Sequence, residues 1–303
     1  MVKYIIKRIL LAVLSVLIVS AITFFAMNAI PGGPFNKEKA TSANAIKILE
    51  ERYNLDKPVG EQYILYMKKL LKGDWGVSMK TFRDIWPDMI SKFSVSARLG
   101  GMAALVAIIC GLIFGSIAAL TRNRWPDRVI VFFVTLFTAM PSFVFATILL
   151  LVFCLLLSWV PVWSAESPNY VLPIIALSAY PMAYITRLTK TSMLDALNQD
   201  YIRTARAKGV SRVKMIFVHA MRNALIPVIT YVGPMVAYIL TGSMVVENIF
   251  TIGGLGSSFV TSITNRDYST IMAVTIFLAI LMVVANLITD IVYKLIDPRI
   301  TFD

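Results

Sequence analysis

The sequence is short of almost everything soluble enzymes are built from. Charged side chains make up only 15 % of its 303 residues, where an ordinary globular domain carries about a quarter. It has one histidine, His219, so a histidine-based metal centre lacks its ligands. The two cysteines, Cys110 and Cys154, both lie inside apolar runs, where a thiol reads as a small buried hydrophobe rather than half of a disulfide. No Gly-Lys pair occurs, which excludes the G-x-x-x-x-G-K-[ST] loop that cradles nucleotide phosphates. H-E-x-x-H and G-x-S-x-G are absent too, so the common metal- and serine-hydrolase signatures are missing. These absences argue against an enzyme.

What is present is apolar. Hydrophobic residues make up 58 % of the chain, in runs of about 18 or more, long enough to cross a hydrocarbon core of about 30 Å. The chain opens "MVKYIIKRILL", a basic head, followed by an apolar run from Ile9 to about Ile30. That run exceeds the roughly 7–15-residue core of a cleaved signal, and no convincing Ala-x-Ala cleavage site follows it. Residues 1–30 therefore read as a retained first span, ended by Pro31-Gly32-Gly33-Pro34. Further spans are expected at about Ala97–Leu120, Val129–Val160, Val171–Thr189, Leu225–Val246 and Thr270–Tyr293. The expected fold is an all-α polytopic membrane protein with six transmembrane helices. Wholly helical, the third span would be roughly 48 Å long, so it must tilt, bend or project beyond the bilayer. Pro141 within it removes a backbone donor. The fourth is short and interrupted by Pro173 and Pro181.

Charge placement sets the expected orientation. With both termini cytoplasmic, the inner pieces hold sixteen Lys and Arg residues, among them Lys3, Arg124, Lys190, Arg206 and Lys294. The two short outer loops hold one, Arg266. This is the positive-inside pattern, and it accounts for the excess of 29 Lys+Arg over 17 Asp+Glu without nucleic acid. Residues 31–96 form a long outer segment that escapes the rule. It reads as an extracytoplasmic helical cap: Ile46, Leu49 and Tyr53 share one face of a short helix, and Tyr63, Met67 and Leu70/Leu71 share a face of another, with Pro58 in its first turn. Residues 97–303 are then a five-helix core with a cytoplasmic loop at about 190–224.

Ion-coupled transporters keep ionisable residues near the bilayer midplane. Five of the six spans have none there; Glu247 falls at the outer end of the fifth and Asp290 near the inner end of the sixth. If the chain moves something uphill, its energy is expected from outside the membrane. The loop "DYIRTARAKGVSRVKMIFVHAMRNALIP", Asp200 to Pro227, is where that energy would enter. Asp200–Lys208 is a good helix former, Gly209 stands where a left-handed cap is wanted, and Ser211 suits the cap of a second helix. In that helix Val213, Ile216, Phe217, Ala220, Met221 and Ala224 make one apolar stripe. One reading is a basic helix lying on anionic headgroups. The other is a lever whose first short helix fits a groove in a cytoplasmic motor, and the break at Gly209 favours it.

This stretch resembles the cytoplasmic loop of ABC importer permeases, and more narrowly that of the dipeptide/oligopeptide importer branch. "DYIRTARAKGVS" and "HAMRNALIPVIT" carry the resemblance, with "GDWGVS" at 73–78, "VVENIFTIGGLG" at 245–256, "NRDY" at 265–268 and "DIVYKLIDPRI" at 290–300. The general importer loop begins Glu-Ala-Ala; here only Ala205 and Gly209 fit that pattern, and Pro227 lies farther from the glycine, both usual for the peptide branch. The resemblance implies a type I importer permease that pairs with a second, related permease. It also implies two cytoplasmic ATPases, which hold the ATP and Mg²⁺, and an extracytoplasmic binding protein that delivers peptide. This chain would carry no cofactor or metal.

By the same resemblance Tyr201, Arg203, Ala205, Arg206, Ala207, Lys208, Gly209 and Pro227 would couple to the ATPases. Pro141, Pro181, Gly233 and Pro234 interrupt spans and are candidates for the translocation path or its gate, with Glu247 near the outer mouth. Packing kinks, and for Glu247 a structural hydrogen bond, are the blander readings of these positions. Gly253, Gly254, Arg266, Asp267 and Tyr268 are candidates for contact with the binding protein. A stand-alone secondary transporter, or import of nickel, heme or sugar in place of peptide, are the alternatives.

Overall fold

The computed structural model describes residues 2–31, 33, 53–240 and 243–296. The expected helix through Ile46 and Leu49 and the C-terminal Asp297–Ile300 lie outside them. The described residues are helical, with one isolated bridge between Val77 and Asp84. In chain order the helices are α1 (Val2–Ala29), α2 (Val59–Leu71), α3 (Ile85–Leu120), α4 (Trp125–Ala139), α5 (Ser142–Leu149), α6 (Val171–Leu197), α7 (Asp200–Ala207), α8 (Arg212–Lys214), α9 (Met221–Leu240), α10 (Met244–Ile249), α11 (Leu255–Asn265) and α12 (Tyr268–Ile296). Two π-helical stretches join them, Leu150–Leu156 after α5 and Met215–Ala220 between α8 and α9.

Five stretches are long and apolar enough to cross a membrane, and the bent pair of α4 with α5 and its π-helical extension brings the number to six. The expected third span is thus broken, with a bend of 107° between its halves. The cause is local. Pro141 disfavours the helical conformation at the residue before it, and Met140 is extended at φ −85°, ψ 128°. The expected second span starts earlier than Ala97, because α3 already begins at Ile85. The fourth is longer than expected: α6 runs through both prolines to Leu197. Pro173 stands in its first turn, where no donor is needed, and Pro181 is buried within it.

The chain divides into two compact units, residues 1–95 with 254–284, and residues 96–253 with 285–301. In the first, Phe24 and Met27 of α1 pack with Met79 and with Tyr268, Ile271 and Met272 of α12. Tyr63 of α2 hydrogen-bonds Ser20 of α1 at 2.8 Å and lies against the Phe24 ring, centroids 5.4 Å apart. Ile85 and Met89 of α3 meet Leu255, Ala273 and Phe277 in an adjoining cluster. Burial, with the Asp74 carboxylate nearby, pushes the Tyr66 phenol up, so it stays neutral at physiological pH.

The second unit is built by close helix approach. A Cβ on Gly111 would lie 2.6 Å from Ile185 Cγ2, and one on Gly115 would lie 2.5 Å from Thr189 Cβ. Small residues at this spacing let α3 and α6 touch backbone to backbone, the way membrane helices associate when burial of apolar area offers little. Ala103 and Ala107 of α3, Ile185 of α6 and Val228, Met235 and Ile239 of α9 fill the space between them. Across α4 and α6, Lys190 forms an ion pair with Asp127.

Candidate functional site

The basic loop begins with α7, eight residues long. Only Ile202 points inward, 1 % exposed, against Ala196, Met215 and Ala220. Tyr201, half-exposed, accepts a 2.9 Å hydrogen bond from Asn223 Nδ2 at the start of α9. Arg203 makes a surface ion pair with Asp200 at 3.3 Å. Arg206, Ala207, Lys208 and Gly209 are exposed, and Ala205 is half-buried. The helix ends as expected: Gly209 is at φ +76° with open space around its α-carbon, so backbone conformation alone selects glycine there. Its N–H donates to Arg206 O at 3.0 Å, and the next N–H, of Val210, to Ala205 O at 3.1 Å.

Two expectations for the following helix need correction. Ser211 precedes α8, but its side chain makes no capping hydrogen bond. The apolar stripe is also split, because Met215–Ala220 is π-helical and each wide turn takes up an extra residue. Ile216, Ala220 and Ala224 are buried, joined by Met215, whereas Val213 and Phe217 are 67 % and 63 % exposed. An exposed apolar edge therefore runs beside the basic helix. Pro227 follows inside α9, on its exposed side.

The span-interrupting residues fall in different settings. Pro141 is exposed at the start of α5. Pro181 is buried and Pro234 exposed. Gly233 gives α9 contact with α12: a Cβ there would meet Thr289 Cγ2 at 2.0 Å. Glu247 is 0 % exposed and accepts from Ser96 Oγ at 2.7 Å, while its backbone carbonyl accepts from Ile252 N at 2.8 Å.

The expected outer contacts are largely internal to their own unit. Gly253 is exposed in the second unit, near Trp163. In the first unit Gly254 is buried at the start of α11. Arg266 closes that helix in the left-handed region, φ 57°, and donates to Pro31 O at 3.0 Å. Asp267 is buried and accepts from Ser78 Oγ, from Met79 N at 3.0 Å and from Thr270 Oγ1 at 2.8 Å. Tyr268 is 8 % exposed in the core beside it.

Sequence reading missed a polar strip on α6 and α9. Tyr180, Tyr184 and Arg187 recur at helical spacing on the exposed side of α6, the least apolar of the five long spans. Tyr184 faces Tyr231 of α9, ring centroids 4.2 Å apart, and Arg187 donates to Thr138 Oγ1 of α4 at 3.3 Å. The signal was there in the i, i+4, i+7 spacing, but tyrosine counts among the hydrophobic residues of the composition.

Broken spans, glycine-mediated helix contacts and a short basic helix on an interhelical loop define a multi-pass helical membrane protein. Residues 111–302 match the family described as the binding-protein-dependent transport system inner membrane component, and residues 1–95 match the N-terminal membrane component of the same system. The chain belongs to that family. It is 45 % identical over 302 residues to the dipeptide transport system permease protein DppB of Bacillus subtilis, covering 99 % of this chain and 98 % of that protein. It is 41 % and 40 % identical to the oligopeptide transport system permease proteins OppB of Haemophilus influenzae and Salmonella typhimurium, each over the full length of both chains. Among solved structures, the inward-facing MetNI methionine ABC transporter shares the fold, with a TM-score of 0.56 at 14 % identity over 69 % of this chain and 95 % of that one.

Proposed function

We propose that this chain is the permease subunit of an ATP-driven importer of dipeptides or oligopeptides, embedded in a prokaryotic plasma membrane with both termini cytoplasmic. The full-length identity of about two residues in five to permeases named for dipeptide and oligopeptide transport carries the reading. Nickel, heme and sugar import, and ion-coupled transport by the isolated chain, have no such support. The chain itself catalyses nothing: ATP and Mg²⁺ belong to two cytoplasmic ATPases, a second permease completes the path, and an extracytoplasmic protein delivers peptide.

In this account α7 is the lever. Its exposed face offers Arg203, Arg206 and Lys208 to acidic groups of an ATPase, beside the exposed Val213 and Phe217. Ile202 packs it against Ala196 of α6 and the π-helical turn, and the Tyr201–Asn223 hydrogen bond ties it to α9, so movement of α7 is transmitted to membrane helices. Gly209 sets the turn that makes α7 protrude.

Two measurements test this. The tagged chain, extracted in mild detergent, is expected in intact-complex mass spectra with one related permease and two ATPases; recovery alone or as a homodimer contradicts the reading. In the assembled importer, Gly209→Pro is expected to leave membrane abundance unchanged and to uncouple ATP hydrolysis from uptake. Unchanged uptake at equal abundance removes the lever.

A further inference from the structure

The strip on α6 and α9 is an anomaly for a lipid-facing surface. Tyr184 lies near the middle of the 27-residue α6 and Tyr231 near the middle of the 20-residue α9. Tyrosine that anchors a helix in lipid sits at the headgroup level, not at mid-span. Hydrocarbon offers a phenol hydroxyl no partner, and such a group within a span faces the bundle interior or a watery cavity; Arg187, one of the inner charges, stands where the strip reaches the inner end of the span. Yet Tyr180 and Tyr184 are 49 % and 38 % exposed in this chain alone, and Arg187 is exposed as well. This face therefore looks onto something polar.

Charge narrows what that is. Lys190, the neighbouring cation of α6, is matched by Asp127. Among the described residues, Arg187 hydrogen-bonds a neutral hydroxyl, that of Thr138, and no carboxylate. α9 carries no acidic residue, and the one acid of α6, Asp195, stands in its last turn, about 12 Å along the axis from Arg187. A planar guanidinium with donors to spare matches a carboxylate in two-pronged geometry. The phenols add flat apolar faces and hydroxyls that both donate and accept, as a peptide backbone requires whatever its side chains.

We infer that this strip is the substrate-contacting face of the translocation path, with Arg187 receiving the free α-carboxylate of the passing peptide and Tyr180, Tyr184 and Tyr231 its backbone. The inference rests on the peptide-importer reading and adds the chemistry of the contact: a zwitterionic chain recognised by its carboxyl end and main chain, not by its side chains. Arg187 and the tyrosines act on the substrate rather than on the ATPases, so their loss separates transport from ATP turnover.

The test uses the complete importer in proteoliposomes. A tripeptide and its C-terminal amide are each preloaded on the binding protein to equal occupancy. Arg187→Gln is expected to cut uptake of the free acid tenfold or more, to leave amide uptake within twofold, and to keep peptide-stimulated ATP hydrolysis. Arg187→Lys is expected to restore much of the free-acid uptake. Tyr184→Phe and Tyr231→Phe, which keep the ring stack but lose a hydroxyl, are expected to slow acid and amide alike. An equal effect of Arg187→Gln on acid and amide, or none on either, overturns the carboxylate assignment. If the wild-type assembly takes up no peptide but remains a coupled ATPase, the peptide reading itself fails, and this one with it.

Discussion

Lys190 of α6 and Asp127 in the first turn of α4 form an ion pair with side chains only 23 % and 7 % exposed. Asp127 also accepts from Asn123 N at 2.9 Å, which holds the turn before α4. Removing one partner leaves a largely enclosed charge uncompensated, which costs about 3 kcal/mol or more, whereas removing both with apolar replacements costs far less. Asp127→Asn is expected to lower the Tm of the detergent-purified protein clearly, and Asp127→Leu combined with Lys190→Met to recover most of the loss. A double variant as unstable as the single one would show that the pair contributes through something other than its charge balance.

Ile202 is the one side chain of α7 that is fully enclosed. Truncation to alanine removes about 3 kcal/mol of packing, more than an eight-residue helix holds in reserve. Ile202→Ala is expected to raise hydrogen exchange across residues 200–208 while leaving α6 and α9 protected. Transport is expected to fall with it, since a loosened lever moves without its membrane helix.

The contact of α3 with α6 depends on missing side chains. Gly115→Val drives a branched side chain into Thr189, where a Cβ alone already stands at 2.5 Å; overpacking of this kind costs about 1–3 kcal/mol. Detergent extracts are expected to show less monodisperse protein by size-exclusion chromatography. Combining the change with Thr189→Gly is expected to restore part of it.

In the first unit, the buried Asp267 carboxylate accepts four hydrogen bonds. Asp267→Asn turns one acceptor oxygen into a donor facing other donors, at a cost of about 2 kcal/mol. Limited proteolysis is expected to cut faster around residues 72–84, the turn region that Ser78 and Met79 tie down. An unchanged digestion pattern would show that the Trp75–Trp86 stack holds that region unaided.

The spans were legible because apolar runs of membrane length have few other uses. The end of α7 was legible too, since Gly209 was the one residue there able to take positive φ without strain. The break at Pro141 was readable only as one of three ways to fit an overlong span; its angle depends on tertiary packing. The π-helical turn carried no composition signal, so the stripe built on a 3.6-residue period placed Val213 and Phe217 on the wrong side. Arg266-Asp267-Tyr268 looked like a loop available to partners because charge suggests exposure, yet Asp267 is buried by donors far away in the sequence. Gly111 and Gly115 stand four apart, a G-x-x-x-G spacing plain in the sequence, and it names a contact face without naming its partner.

The wide turn at Met215–Ala220 also fixes chain length. Each residue added to or removed from a helix rotates everything on one side of the edit by about 100° relative to the other. Deleting Val218 would turn Ala220 and α9 away from Ile202 and Met215, carrying the basic face of α7 round relative to α9, although no contacting side chain had changed. This segment should accept many substitutions on its exposed edge, Val213 and Phe217 included, and no change in the number of residues, as a screw thread accepts a different metal but not a different pitch.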